Sequence, residues 1–262
     1  MAALAGKIAS DMATASSLRL ARVTAIVVNF NSGPWLERCV RALRADDNKP
    51  PAIEVIDNGS EDNSLEHLPD LPGMRVRRSP LNLGFARGVN VAARAIETEY
   101  LLVINPDCLL VPSALERLVE DMDEHPDAAL ASGRIFDMAG NEQRGSRRRL
   151  PTRRRVLAEV LGGKKTGVDL THLPAPDEPQ TVEAVSGACM VLRREAFLDV
   201  GGFDKHYPLH FEDLDLMARL GEAGWTVRLV PDVSVSHVGG FSSRSRPMQV
   251  EWKKHQIGRA HV

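Results

Sequence analysis

Four places in this sequence set side chains capable of chemistry at the edge of apolar runs. Asn105-Pro106-Asp107 follows Leu101-Leu102-Val103-Ile104 and precedes Leu109-Leu110. A carboxylate among so many aliphatics is costly to bury without a partner. A hard divalent cation bridging phosphate oxygens is one such partner; an Asx-type turn is the other reading of the same residue. Asp57 ends the run Ile53 to Ile56 and precedes Asn58-Gly59-Ser60. There it either shapes a turn or accepts hydrogen bonds from a ribose or a base. Glu212-Asp213-Leu214-Asp215 opens a helix, where acids are favoured by the dipole alone. The apolar, aromatic approach from Tyr207 to Phe211 is also a setting that raises a carboxylate toward general-base duty. His237 closes an alternating strand ahead of Gly239-Gly240, either as a structural histidine or as an imidazole ligand for a divalent ion.

These residues need a scaffold that brings strand ends together, and the chain has that pattern. Val23 to Val28 is a continuous apolar and β-branched run, the mark of a strand buried on both faces. Asn31-Ser32-Gly33-Pro34 then opens a helix with Trp35, Leu36, Cys39, Val40 and Leu43 on one face. Strands are expected at Ile53 to Ile56, Met74 to Arg77 and Tyr100 to Ile104. A small-residue helix separates the last two at Phe85 to Ile96, and another helix opens at Pro112. Order resumes over Val182 to Leu192, with a helix from Leu214 to Ala223 and strands at Val227 to Val230 and Val233 to His237. Alternating strands and helices predict an α/β fold with a mostly parallel central sheet between helical layers. Ligands in such sheets collect at the carboxyl ends of the strands, where Asn29-Phe30-Asn31, Asp57-Asn58-Gly59 and Asn105-Pro106-Asp107 all fall.

Bulk properties remove several other classes. The 262 residues carry 43% hydrophobic and 26% charged side chains with a net charge of −2, so the chain has no general attraction for nucleic acid. Cys39, Cys108 and Cys189 lack disulfide or metal spacing and read as reduced core thiols, which suits the cytoplasm. No apolar stretch approaches the roughly 18–20 residues that span a bilayer. There is no G-x-G-x-x-G, G-x-S-x-G, H-E-x-x-H or paired C-x-x-C, and Gly162-Gly163-Lys164-Lys165-Thr166 fails the phosphate-loop spacing.

Taken in order, six segments resemble the family-two glycosyltransferases with the GT-A fold, a Rossmann-like three-layer sandwich. They are VTAIVVNFN (23–31), VIDNGSEDNS (55–64), NLGFARGVNVAAR (82–94), LLVINPDCLL (101–110), SGACMVLRREAFLDVGGFD (186–204) and FEDLDLMARLGEAGW (211–225). The similarity extends over Val23 to Gly240 and leans toward the rhamnosyltransferase-like branch. It implies an inverting transfer of a sugar, with L-rhamnose as the candidate, from a dTDP- or UDP-sugar to a glycan or polyprenyl-diphosphate-linked acceptor in cell-wall or surface polysaccharide synthesis. By position it implies that Asp57 holds the nucleoside beside Val28 and Phe30, with Asn82, Asn90 and Asn105 near the donor. Asp107 and His237 would bind Mg2+ or Mn2+, Asp213 would be the catalytic base, and Glu212 a second acid or acceptor contact. Asn105 stands where the family's D-x-D has its first carboxylate, so fewer acids hold the metal.

The resemblance also divides the chain. Residues 1–22 read as a flexible leader and 23–240 as the glycosyltransferase domain. Within the domain, a donor half spans about 23–135, an Arg-rich loop 141–180 carries one short helix at Val156 to Leu161, and an acceptor half spans about 181–240. Arg144, Arg147, Arg148, Arg149, Arg153, Arg154 and Arg155 form either a solvated loop or a patch drawn to an anionic membrane, giving a cytoplasmic protein with peripheral contact at the inner face. Aromatic residues do not interleave with these arginines, which argues against nucleic acid. Ile257-Gly258-Arg259-Ala260-His261-Val262 back-translates to common sequencing-adapter DNA, so the tail 241–262 is expected to be truncated and the native chain to continue past Gln256. Two rival functions stay open at this point. A sugar-nucleotide pyrophosphorylase would want a Gly-rich loop with Arg after the first strand, where Asn29-Phe30-Asn31 stands. A non-catalytic nucleotide-sugar binder would not need Asp107, Asp213 and His237 together.

Overall fold

The computed structural model describes residues 14–44, 52–152, 168–207 and 211–239. The short helix expected at Val156 to Leu161, Arg153 to Arg155 and the tail from 241 lie outside the described residues, as do residues 1–13 of the expected leader.

In chain order the elements are α1 (residues 14–20), β1 (Val23–Asn29), α2 (Trp35–Ala42), β2 (Ala52–Asp57), β3 (Met74–Arg78), α3 (Phe85–Ala95), β4 (Tyr100–Ile104), β5 (Cys108–Leu110) and α4 (Ala114–Glu124). There follow β6 (Ala128–Phe136), β7 (Arg147–Arg148), β8 (Gln180–Val182), β9 (Ala184–Val185), β10 (Cys189–Arg193), α5 (Arg194–Asp199), α6 (Glu212–Glu222) and β11 (Thr226–His237). The main sheet runs β3-β2-β1-β4-β10-β6-β11-β5, with β8 also paired to β11; β7 and β9 form a separate two-stranded ribbon.

The continuous apolar runs are explained by burial on both faces. In β1, Ala25 and Val27 enter one hydrophobic cluster while Ile26 and Val28 enter the other; in β4, Tyr100, Leu102 and Ile104 oppose Leu101 and Val103. Leu36, Cys39 and Val40 of α2 and Leu115, Leu118 and Val119 of α4 cover the first face at helical spacing. Val89 and Ala92 of α3, Phe197 of α5 and Leu214 and Met217 of α6 cover the second. The helix rich in small residues can lie close to the sheet: a Cβ on Gly88 would sit 3.2 Å from a Val28 methyl.

Strand direction decides where the chemistry gathers. β3, β2, β1 and β4 are parallel, β10 is antiparallel to both β4 and β6, and β11 is parallel to β6. Two antiparallel steps restore the original sense. The carboxyl ends of β1, β2, β4 and β11 and the amino end of β10 therefore share one edge of the sheet.

Three expectations are corrected. The leader is not frayed up to Arg22: residues 14–20 are helical, Leu20 is buried in the core, and Ser16 donates to Glu116 Oε2 at 2.8 Å. The strands expected at 227–230 and 233–237 are one strand, β11, with a register shift between Leu229 and Ser234. Pro231 lacks a donor for the ladder, and Gly133 of β6 admits the displaced backbone, since a Cβ there would lie 2.4 Å from the Val233 carbonyl oxygen. The Arg-rich segment is not solvated throughout: Arg147 is 6% exposed, bonded to Glu142 and to the carbonyls of Leu173 and Pro174.

Candidate active site

At the ends of β1 and β2, Asn29 and Asp57 are register partners, and both are buried. Asn29 Nδ2 donates to Asp57 Oδ1 at 2.8 Å and to Ser64 Oγ at 2.9 Å, while Ser32 Oγ donates to Asn29 Oδ1. Among the described residues, Asp57 Oδ2 receives only a long bond from Ser60 N, 3.4 Å. Asp57 therefore shapes its turn and keeps acceptor capacity on one oxygen, which accommodates both readings of it. Val28 and the half-buried Phe30 adjoin this point. Asn58 Nδ2 donates to the Gly84 carbonyl at 3.1 Å, drawing the loop before α3 toward this edge. Exposed Asn82 accepts from Gly84 N at 2.9 Å in the same loop. Asn90 is taken up differently. Its amide donates to the Phe203 carbonyl at 2.8 Å and accepts from Phe203 N at 2.9 Å, tying α3 to the Gly201-Gly202 turn.

The second cluster lies at the ends of β4 and β11. Asp107 is 5% exposed. Gly239 N donates to its Oδ2 at 3.1 Å, and His237 Nε2 stands 3.2 Å from its Oδ1. A hard carboxylate oxygen and an imidazole nitrogen thus converge, a donor set that suits a divalent cation. Cys108 Sγ also lies within 4.8 Å of both ligand atoms. Its hydrogen goes to the Ala188 carbonyl at 3.4 Å, and burial pushes the thiol well above its ordinary range, so Cys108 is held as a neutral thiol. All three cysteines are free and buried, as expected of core thiols.

The third cluster opens α6. Asp213 Oδ2 accepts from Arg148 Nη2 and from Gly187 N at 3.0 Å, and its Oδ1 accepts from Leu214 N at 2.9 Å. Glu212 is its opposite: Oε2 is buried without a hydrogen-bond partner among the described residues. Burial, and then the neighbouring charge of Asp213, push the Glu212 carboxyl up to about 7, with Arg148 opposing the rise. One loop joins this cluster to the second. Gly187 N donates to Asp213, while the next residue's carbonyl, Ala188 O, accepts from Asn105 N at 2.8 Å.

Two site residues carry no sequence signal of their own role. Gln143 binds His237 from a turn after β6, and Arg148 grips Asp213 from a segment that reads as a run of surface charge. Each lies tens of residues from its partner, and no spacing rule links them.

The sequence profile of glycosyl transferase family 2 matches residues 24–201. The chain belongs to that family. It is a glycosyltransferase. Among relatives, the N-acetylglucosaminyl-diphospho-decaprenol L-rhamnosyltransferase of Mycobacterium tuberculosis (strain ATCC 25618 / H37Rv) is 30% identical over 240 residues, covering 85% of this chain and 78% of that protein. Rhamnosyltransferase WbbL of Escherichia coli (strain K12) is 24% identical, covering 84% of each. Among solved structures, GalNAc-T7 with UDP, GalNAc and Mn2+ aligns with a TM-score of 0.62 at 16% identity, covering 83% of this chain and 44% of that one. Mannosyltransferase PcManGT from Pyrobaculum calidifontis with GDP-Man and Mn2+ aligns at 0.56 and 20%, covering 83% and 56%. These likenesses identify the GT-A fold of the family-two enzyme. No helix among the described residues is long and apolar enough to cross a membrane.

Proposed function

We propose that this family-two enzyme transfers a sugar, with inversion, from a nucleoside diphosphate to a hydroxyl of a glycan or polyprenyl-diphosphate-linked acceptor in cell-wall or surface polysaccharide synthesis. The observation that carries the reading is the shared sheet edge. Asp57 and the pair Asp107 and His237 lie at this edge, and the loop residues Gly187 and Ala188 connect the latter pair to Glu212 and Asp213, which supports a nucleoside side, a cation side and a proton-accepting side. The names of the Mycobacterium and Escherichia relatives favour L-rhamnose as the sugar, and the first of them favours a lipid-diphosphate acceptor.

In this reading Asp57 orients the nucleoside beside Val28 and Phe30, with Asn82, Asn90 and Asn105 shaping the donor side. Asp107 and His237 hold Mg2+ or Mn2+, which when bound offsets the charge growing on the leaving nucleoside diphosphate. The pair at the start of α6, with the base expected at Asp213, takes the acceptor's proton as its oxygen attacks the anomeric carbon. The division into a donor half at 23–135 and an acceptor half at 181–240 follows these roles. Contact of the Arg144 to Arg155 segment with an anionic inner membrane face belongs to the same proposal, without the inward-turned Arg147 and Arg148.

The test is incubation with Mn2+, dTDP-L-rhamnose or a panel of UDP-sugars, and a polyprenyl-diphosphate-linked N-acetylglucosamine, with products read by mass spectrometry. A product heavier by one sugar residue is expected. Donor binding without transfer to any glycan or lipid-linked acceptor would overturn the reading.

A further inference from the structure

The geometry around His237 assigns a part to a residue outside the sequence-expected set: we infer that Gln143 is a positioning residue that sets the His237 tautomer and so presents Nε2 as a cation ligand beside Asp107. This rests on the metal-site reading given above.

Two hydrogen bonds between the same two residues make the case. Gln143 Nε2 donates to the His237 carbonyl at 2.5 Å, which fixes the amide's orientation. Flipping the amide would set two carbonyl oxygens against each other at that distance. With the amide fixed, Oε1 is the atom facing His237 Nδ1, at 2.9 Å. An acceptor there requires the ring hydrogen on Nδ1. In the neutral imidazole the lone pair then lies on Nε2, 3.2 Å from Asp107 Oδ1. Two acceptors face each other, and a cation between them satisfies both. The other neutral tautomer, with Nε2–H donating to Asp107, would leave Nδ1 and Oε1 as opposed acceptors at 2.9 Å.

The turn that delivers Gln143 is itself held. Gln143 N donates to the Ile135 carbonyl at 2.8 Å, and Ser146 N donates to the Gln143 carbonyl at 3.0 Å. Asp137 caps the turn by accepting from Ala139 N and Asn141 N, each at 2.9 Å. A ring-orienting partner of this kind changes metal affinity by about 10- to 100-fold when removed.

The experiment uses the full chain with two readouts. Nitrogen-15 shifts of His237 at about pH 8, without metal, report the tautomer; Mn2+ titration followed by electron paramagnetic resonance reports affinity. Wild type should show the Nδ1–H form, and Gln143→Leu should lose it and bind Mn2+ about 10- to 100-fold more weakly. Gln143→Glu keeps an acceptor for Nδ1–H and should retain more affinity than the leucine variant, which serves if the latter does not fold. In a His237→Ala background, Gln143→Leu should have no further effect. An Nε2–H tautomer in wild type, unchanged affinity in Gln143→Leu, or an equal loss in the His237→Ala background would each overturn the assignment. Absence of Mn2+ binding by wild type would instead sink the metal-site reading on which it rests.

Discussion

Glu212→Gln should make the protein more stable above neutral pH while lowering its activity. Below pH about 4.5 the carboxyl is protonated in both folded and unfolded chains, so the amide changes little. Above that, the unfolded chain releases the proton near an ordinary glutamate's 4.5, but the folded chain keeps it until about 7. Folded stability therefore falls as pH rises between those values and levels off above the upper one. At about 1.4 kcal/mol per pH unit, the whole interval corresponds to roughly 3 kcal/mol, an upper figure because solvent reaches part of the side chain. The amide carries no charge to desolvate and removes the repulsion from Asp213, so the variant should regain up to that amount. Urea midpoints for both proteins at pH 5 and pH 8 measure it: a small difference at pH 5 and a larger one, up to about 3 kcal/mol, at pH 8 are expected. Turnover should fall by about tenfold or more if the buried, unpartnered Oε2 takes part in proton transfer. An equal stability difference at both pH values would refute the electrostatic reasoning. Full activity in the variant would reduce Glu212 to a strained helix-start residue.

Asp213→Asn should lower kcat by about 10² or more with donor affinity nearly unchanged, measured by steady-state kinetics and donor titration; unchanged turnover would remove the base assignment. Asp121→Ala should cost about 3–5 kcal/mol in denaturant unfolding, because Arg228, 7% exposed, binds both Asp121 oxygens at 2.8 and 2.9 Å and would be left as an uncompensated buried charge. Gly133→Ala should cost at least about 1–3 kcal/mol in the same assay, since its Cβ would press on the Val233 carbonyl at the β11 shift.

Legibility in the sequence followed the degree to which local pattern and tertiary environment agree. β1 and β4 are readable because every residue is buried, so Ala25 to Val28 of β1 and nearly all of β4 are continuously apolar. β6 is not. Ala128-Ala129-Leu130-Ala131-Ser132-Gly133 has helix-forming alanines and a glycine, and it becomes a strand only because β10 and β11 flank it. β5 is three residues long and exists through its pairing with the end of β11. In the site, the acids were legible because a carboxylate after an apolar strand is conspicuous. Their partners were not. Glutamine and arginine are ordinary surface residues, and only the fold shows that Gln143 and Arg148 turn inward. Asn90 adds a contact its motif does not announce: its amide is bound on both sides by the Phe203 backbone.

The basic stretch gains a different meaning from these contacts. Glu142 pairs with Arg134 at 3.1 Å and with Arg147 at 2.7 Å, and Arg147 reaches on to the Leu173 and Pro174 carbonyls. Those bonds clamp residues 142–148 to β6 on one side and to the 170s on the other. Between the clamps, Gln143 meets His237 and Arg148 meets both Asp213 and the Val185 carbonyl. A strand end can fix where an acid stands, but not which tautomer its neighbour adopts or which carboxylate oxygen stays open. Here one irregular segment supplies a partner at each of two clusters already tied together through Gly187 and Ala188. Displacing the segment at either clamp should therefore disturb the cation pair and the acidic pair together.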